Sequence, residues 1–67
     1  MMIVMNVDAA PQQVEAVLER IAQNGFKPLL LHGEERKVIA VVGINPYETR
    51  EQYLYLPGVD RVLPISR

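Results

Sequence analysis

The amino-acid sequence predicts an α+β sandwich in which two helices cover one face of a four-stranded antiparallel sheet. The first observation is a hairpin pattern: Gly33 and four charged residues separate two apolar runs, residues 28–31 and 38–42. The second is that segments with helical spacing lie on both sides of this hairpin. The third is a further apolar run at each end of the chain. The resulting order, βαββαβ, is that of the split βαβ or ferredoxin-like fold.

The N-terminal third of the chain predicts a strand followed by an amphipathic helix. Residues 2–7 are apolar at nearly every position, which suggests burial on both faces and a central place in the sheet. Pro11 begins the helix because its fixed φ suits the first helical position, and Gly25 ends it because glycine adopts the left-handed conformation at little cost. Helical spacing places four apolar side chains on one stripe: Val14, Val17, Leu18 and Ile21.

The rest of the chain predicts the two hairpin strands, a short helix and a last strand. The second strand covers residues 26–32, and Pro28 makes it an edge strand or an irregular one because proline has no amide donor. The third strand covers residues 37–42. A short helix is predicted over residues 47–56 and a final strand over residues 59–65. The expected core contacts of the short helix are Tyr53, Leu54 and Leu56.

Composition is that of a small globular domain, and the 67 residues predict a single one, residues 1–67. The chain has no cysteine, so neither a disulfide nor a thiolate metal site can staple the fold, and its one histidine does not make a metal site. A domain of this size buries a smaller share of its surface than a larger one does. We therefore expect it to gain stability by association, as a homo-oligomer or on a larger body.

Charge and hydropathy argue against several classes of partner. A net charge of −1 gives no electrostatic reason to expect nucleic acid or an anionic membrane. The longest apolar run, residues 38–42, is far too short to span a bilayer. The apolar N-terminus has neither the basic lead-in nor the small-residue cleavage site of a signal peptide. The expected location is the cytoplasm.

Few residues could carry catalysis. Ser66 lies one residue from the end of the chain, and Thr49 falls on the short helix. His32 has the chemistry of a general base, but it lies beside the hairpin turn with no evident partner. The four glycines are isolated, so the sequence contains no phosphate-binding loop. We therefore expect no catalytic residue, no metal ligand and no cofactor in this segment.

Three strings of the sequence resemble one enzyme family. They are residues 2–5 (MIVM), 33–43 (GEERKVIAVVG) and 56–65 (LPGVDRVLPI), in that order. Together they are similar to the N-terminal ferredoxin-like (ACT-like) regulatory domain of type I-beta 3-deoxy-D-arabino-heptulosonate 7-phosphate (DAHP) synthase. The resemblance covers essentially the whole chain, and the central string is its most specific part.

The resemblance implies a regulatory part of a transferase. In that family the domain precedes a (β/α)8 barrel, which uses a divalent metal to condense phosphoenolpyruvate with erythrose 4-phosphate, the first step of aromatic amino-acid biosynthesis. None of the barrel lies in these residues, so no catalytic or metal-binding residue carries over. In feedback-inhibited members, neighbouring ferredoxin-like domains pair around tyrosine or phenylalanine and cover the barrel's entrance. The implied partners are a second copy, a catalytic barrel in cis or in trans, and an aromatic amino acid.

One departure from the family concerns the effector. Tyrosine-sensitive members hold it with a histidine and a serine on the second strand, where this sequence has Leu29 and Leu31. Leucine offers no hydrogen bond to an ammonium, carboxylate or phenol group, and strand alternation turns His32 to the other face. Either the effector differs, or the domain serves assembly without one. The predicted effector or interface contacts are Leu29, Leu31, His32, Gly33, Glu34, Glu35 and Arg36.

Two further functions are compatible with the sequence. One is a free-standing ACT-like module that binds a small molecule or a protein without an attached enzyme, and the other is a purely homo-oligomeric structural domain. The charged turn also has two interpretations: a solvated turn that protects the hairpin from edge pairing, or a polar contact to a neighbouring domain or subunit. A rise in melting temperature with phenylalanine or tyrosine would separate the binding functions from the structural one.

Overall fold

The computed structural model describes residues 1–64 and has the predicted order of elements. The strands are β1 (Met2–Met5), β2 (Lys27–His32), β3 (Lys37–Val42) and β4 (Val59–Leu63). The helices are α1 (Pro11–Gln23) and α2 (Glu51–Leu54), with a 3-10 helix at Pro46–Thr49 before α2. All strand pairs are antiparallel and form one sheet in the order β2-β3-β1-β4. The ferredoxin-like α+β fold predicted from the sequence is confirmed.

The core lies between the two helices and one face of the sheet. Across the sheet, Ile3 pairs with Ile39 of β3 and with Val62 of β4, while Leu30 of β2 pairs with Ile39. These directly opposed pairs form a row of aliphatic side chains beneath the helices. Every buried sheet residue has an odd number, because alternate side chains of a strand point to the same face. The buried cluster consists of Met1, Ile3, Met5, Val14, Val17, Ile21, Ile39, Val41 and Tyr53.

Helix α1 begins and ends where the sequence indicates. Pro11 is its first residue, and Asn24 caps its C-terminus ahead of Gly25, whose φ is +82°. The N-terminus is held by a hydrogen bond from the Ala10 backbone N–H to Oε1 of Gln13 (2.9 Å). Three members of the predicted stripe are buried, and Leu18 packs partly buried against them. The helix is therefore stabilised mainly by its apolar face.

The second helical segment differs from the prediction of one helix over residues 47–56. Asn45 takes the left-handed conformation (φ 52°) and starts the 3-10 helix, so that α2 contains only four residues. A helix of about one turn points a single side chain into the core. Tyr53 fills that place and Leu56 is partly buried, as predicted, whereas Leu54 is 39% exposed and its predicted core contact is wrong.

Asn24 connects the two helices through its side-chain amide. Its Nδ2 donates to the hydroxyl of Tyr53 (2.7 Å) and to Oε1 of Gln52 (3.0 Å). The buried phenol therefore has a hydrogen-bonding partner, which a buried polar group requires. The last turn of α1 and the only turn of α2 are thereby held together.

The first strand is shorter than predicted at its C-terminal end. β1 ends at Met5 because a turn follows, in which the Ala9 N–H donates to the carbonyl of Asn6 (3.1 Å), and Val7 is 59% exposed. β4 covers Val59–Leu63, and the predicted end of this strand, Ile65, lies outside the described residues. β1 nevertheless occupies the central place that its apolar sequence predicts. No helix in residues 1–64 combines the length and the apolar character needed to cross a membrane.

Pro28 lies on an edge strand, which was one of its two predicted settings. Its partner Val41 donates its N–H to the carbonyl of Met1 (2.8 Å), away from β2. Because the N–H and C=O of one residue point to the same side of an antiparallel strand, Pro28 forms a non-hydrogen-bonded pair with Val41. Its nitrogen therefore faces the free edge, and the proline removes no hydrogen bond from the sheet.

Candidate functional site

The structure places the seven predicted contact residues in two separate regions. Leu29 and Leu31 lie on the face of the sheet opposite the helices. The other five, residues 32–36, form the end of β2 and the hairpin turn, and they line a cavity at one end of the sheet. The two regions offer different chemistry, since the first is aliphatic and the second is charged.

We define the open face as two rows of side chains that run across all four strands on the side without helices. Strand register gives the first row as Leu29, Ala40, Met2 and Leu63, and the second as Leu31, Val38, Val4 and Arg61. None of these eight residues belongs to the buried core. Arg61 is the only polar side chain among them.

The open face is accessible and apolar. Leu29, Leu31 and Leu63 are 54%, 41% and 44% exposed, and the central residues of the rows are half-buried by their neighbours. A contiguous apolar patch on the surface of a small domain is typical of an interaction site. The family resemblance singled out Leu29 and Leu31, and strand alternation placed them on one face, but the sequence analysis missed Met2 and Leu63. Their place in the same row depends on a pairing register that the sequence does not reveal.

The cavity at the hairpin turn has a volume of about 200 Å³ and lies between residues 32–37 and the loop that follows β1. Its walls carry both charge signs, from Glu34 and Glu35 on one hand and Arg36 and Lys37 on the other. Within residues 1–64, the His32 imidazole has no hydrogen-bonding partner, and no group of three or more metal-binding side chains is assembled. The cavity can make polar contacts, but it contains no nucleophile paired with a base.

Arg36 reaches from the hairpin turn across β1 to β4. Its Nη1 lies 2.9 Å from Oδ2 of Asp60, and the same oxygen accepts from Nε of Arg61 at 3.0 Å. The pairing of β1 with β4 shifts between Val4 and Met5, so Asp60 is an extra residue in the strand. Such a bulge redirects the side chain, and here it brings the carboxylate to the two guanidinium groups. The turn is thereby anchored at the border of the open face.

Replacing Asp60 by asparagine is expected to reduce the free energy of unfolding by only about 0.5 kcal/mol, because exposed ion pairs contribute little. The loss should disappear in ~1 M NaCl, where the screening length falls to ~3 Å. Urea unfolding at low and high salt measures both values. Glu19→Gln, on the exposed side of α1, is the control for a change of one charge. A loss that persists at high salt would contradict an electrostatic origin.

Comparison with known proteins identifies the family. The family model for the DAHP synthase ferredoxin-like domain matches residues 1–67, which is the entire sequence. The chain belongs to this family. A search of curated protein sequences gave no match to this DAHP synthase ferredoxin-like domain.

Solved structures agree with the fold of this DAHP synthase ferredoxin-like domain. Five chains of known structure match it, among them a phospho-2-dehydro-3-deoxyheptonate aldolase (DAHP synthase) from Thermotoga maritima. That protein superposes with a TM-score of 0.78 at 23% sequence identity over 92% of the present chain. The match covers only 19% of the Thermotoga chain, so the domain corresponds to about a fifth of that enzyme's length.

Proposed function

We propose that the chain is an accessory domain of a DAHP synthase, which regulates or assembles the catalytic part and performs no chemistry itself. Its role then belongs to the first step of aromatic amino-acid biosynthesis in the cytoplasm. The observation that carries the proposal is the open face. A member of the DAHP synthase ferredoxin-like family here exposes an apolar surface that extends across all four strands. Such a surface fits a protein partner better than a polar substrate.

The proposed partners are further copies of the chain and a catalytic barrel, attached in cis or supplied in trans. Pairing of two domains near a barrel entrance would restrict access to it. An effector changes this equilibrium only by its different affinity for the paired and separated arrangements. The proposal needs no metal or cofactor in this domain, and the net charge of −1 gives it no basis for nucleic-acid or membrane partners.

A second candidate, a module that binds an amino acid, is favoured by the cavity at the hairpin turn. Glu34 and Glu35 suit an ammonium group, Arg36 and Lys37 suit a carboxylate, and the volume of about 200 Å³ suits a small molecule. An aromatic amino acid bound there would raise the melting temperature of the domain. The module could act in either of two settings. Attached to a synthase, it would bind a feedback effector; free-standing, it would sense the amino acid without an attached enzyme.

The test of the proposed function begins with the mass of the native polypeptide in the source cells, found with an antibody against this domain. DAHP formation is then measured with the domain present and removed, or with the chain added in trans if the native polypeptide weighs 7.6 kDa. We expect removal to alter oligomeric state or sensitivity to phenylalanine and tyrosine, and to leave kcat within about threefold. Catalysis by the 67-residue chain alone, or no effect on assembly and regulation, would contradict the proposal.

A further inference from the structure

We propose that Asn24 is a site of spontaneous deamidation which the contact between α1 and α2 protects, and that modification makes the loss of this contact permanent. The reaction joins Asn24 to Gly25 in a cyclic imide, which water then opens to an acidic residue. The site goes beyond the proposed function and does not depend on it, because the reaction needs only the chain itself and water.

The residue that follows each asparagine makes Asn24 the reactive one. In deamidation the backbone nitrogen of the next residue attacks Cγ of the asparagine side chain. The chain has three asparagines, and only Asn24 is followed by glycine, which leaves this nitrogen unhindered because it has no Cβ. Asn6 precedes a valine, whose branched Cβ crowds the attack, and Asn45 precedes a proline, whose nitrogen has no hydrogen to lose. The modification is therefore expected at Asn24 alone.

The reaction balances without an oxidant, a reductant or a cofactor. The Gly25 nitrogen loses its hydrogen and bonds to Cγ of Asn24, the bond from Cγ to Nδ2 breaks, and Nδ2 leaves with that hydrogen as ammonia. Water then cleaves one of the two bonds between the imide nitrogen and carbon. Cleavage of the new bond gives aspartate, and cleavage of the original peptide bond gives isoaspartate, in which the backbone runs through the side chain.

The folded chain holds the reacting groups apart. The Gly25 N–H donates to the carbonyl of Ala22 (3.0 Å). The leaving group, Nδ2 of Asn24, donates to the hydroxyl of Tyr53 (2.7 Å) and to Oε1 of Gln52 (3.0 Å). With a ψ of 1°, the Gly25 nitrogen eclipses the backbone nitrogen of Asn24, so it is turned about one third of a turn away from the Cβ that the ring must contain. Ring closure therefore requires the end of α1 to change conformation.

Unwinding of the last turn of α1 is sufficient to release these restraints. Helix ends fray more readily than whole domains unfold, and Ala22, Gln23 and Gly25 are already exposed. Tyr53 can remain in the core while its hydroxyl loses the bond from Asn24. The rate of deamidation should therefore follow the population of this local opening, which the two side-chain bonds of Asn24 keep small.

The product does not restore the contact between the helices. A carboxylate at position 24 accepts from the Tyr53 hydroxyl, but it has no hydrogen for Oε1 of Gln52. Its negative charge lies at the C-terminus of α1, where the helix dipole disfavours it. Isoaspartate also lengthens the backbone, which displaces the Phe26 N–H from the carbonyl of Ile21, its partner at 3.1 Å. Each opening that ends in reaction thereby leaves the end of α1 less stable.

The first experiment compares the folded and the unfolded 67-residue chain in mildly alkaline buffer. Peptide mass spectrometry locates the conversion of amide to acid, and enzymatic methylation of isoaspartate identifies the product. Deamidation of Asn24 should be at least about tenfold slower in buffer than in ~6 M guanidinium chloride. Equal rates would overturn the protection by the fold. No reaction of Asn24 in denaturant, or an equally fast reaction at Asn6 or Asn45, would overturn the assignment of the site.

Tyr53→Phe tests whether the side-chain bonds of Asn24 control the opening. Loss of a hydrogen bond of about 1 kcal/mol should make deamidation in buffer roughly fivefold faster. Tyr55→Phe is the matched control, because Tyr55 is 84% exposed and makes no side-chain hydrogen bond within residues 1–64. In denaturant both variants should react as fast as the original chain. An unchanged rate for Tyr53→Phe in buffer would overturn the proposed control.

Gly58→Ala separates local opening from unfolding of the whole domain. Its added methyl group meets Gln13 in the first turn of α1, at the other end of the helix from Asn24. Reaction through local opening leaves the rate of this variant at the original value. A rate above that of Tyr53→Phe would overturn the proposed route, because deamidation would then proceed from the unfolded chain.

The effect of the product is measured with Asn24→Asp. Its urea midpoint should fall by on the order of 1 M, because the bond to Gln52 is lost and a charge is added at the end of α1. Gln23→Glu is the control, since it adds the same charge at an exposed neighbouring position and should shift the midpoint less. Equal midpoints for the two variants would contradict the permanent loss of the contact. DAHP formation is measured separately, so the proposed function can fail or stand independently.

Discussion

Replacing Tyr53 by alanine is expected to reduce the free energy of unfolding by roughly 3–5 kcal/mol, the range for truncating a large buried aromatic side chain. Tyr53 has no exposed surface and is among the largest side chains in the core. It is also the only side chain that α2 buries. A domain of this size has a total stability of about the same magnitude. The variant should therefore be largely unfolded at room temperature.

The measurement is urea unfolding followed by circular dichroism, with Tyr53→Phe as the control. Phenylalanine keeps the ring and loses only the hydrogen bond from Asn24 (2.7 Å), so its effect should be about 1 kcal/mol. The comparison separates the packing of the ring from the hydroxyl. A cooperative transition of Tyr53→Ala within ~1 kcal/mol of the original protein would mean that α2 contributes little to the fold.

Replacing Gly58 by alanine is expected to destabilise the domain by about 2–3 kcal/mol, the second largest effect, through backbone strain and crowding together. Gly58 has a φ of +88°, which alanine adopts at a cost of ~1 kcal/mol. An added Cβ would also lie 2.6 Å from Oε1 and 2.9 Å from Cβ of Gln13. Gln13 would have to move, and its hydrogen bond with the N–H of Ala10 at the start of α1 would be weakened.

Gly25 offers a matched control for that prediction. Its φ of +82° is nearly the same, but among residues 1–64 no atom other than those of its chain neighbours lies within 4 Å of the position that a Cβ would occupy. Gly25→Ala should therefore show the conformational cost alone, about 1 kcal/mol. Urea midpoints of the two variants, measured under the same conditions, give the difference. Equal destabilisation would mean that Gln13 accommodates the methyl group without loss.

Local patterns in the sequence were sufficient for the order of elements and for α1. The helical spacing of its buried stripe, Pro11 at its start and Gly25 after its end are all short-range signals. The apolar character of β1 was likewise sufficient for its central place. The break between the 3-10 helix and α2 was not predictable in this way, because it depends on the left-handed conformation of Asn45 and on how Tyr53 fits beneath.

Of the open face, the sequence predicted only Leu29 and Leu31, which the family resemblance singled out and which alternation within one strand places on the same side. Leu29 and Leu31 share a face for that reason, and the structure agrees. Their neighbours Met2 and Leu63 come from strands remote in the sequence, so their place requires the register. The contact of Arg36 with Asp60 requires in addition the irregularity in β4. Contacts between residues far apart in the sequence depend on the strand register, and a single sequence does not reveal that register.

The position of Pro28 has a consequence for how far assembly can proceed. An edge strand with a full set of free amides is a template on which further chains can add end to end, as in a fibre. At Pro28 the outward amide is missing, so growth of the sheet in its own plane is hindered on that side. If further copies are partners of the chain, as proposed, contacts at the open face are therefore favoured over addition at this edge. Contacts that close about a two-fold axis give a finite assembly, whereas repeated addition at an edge does not.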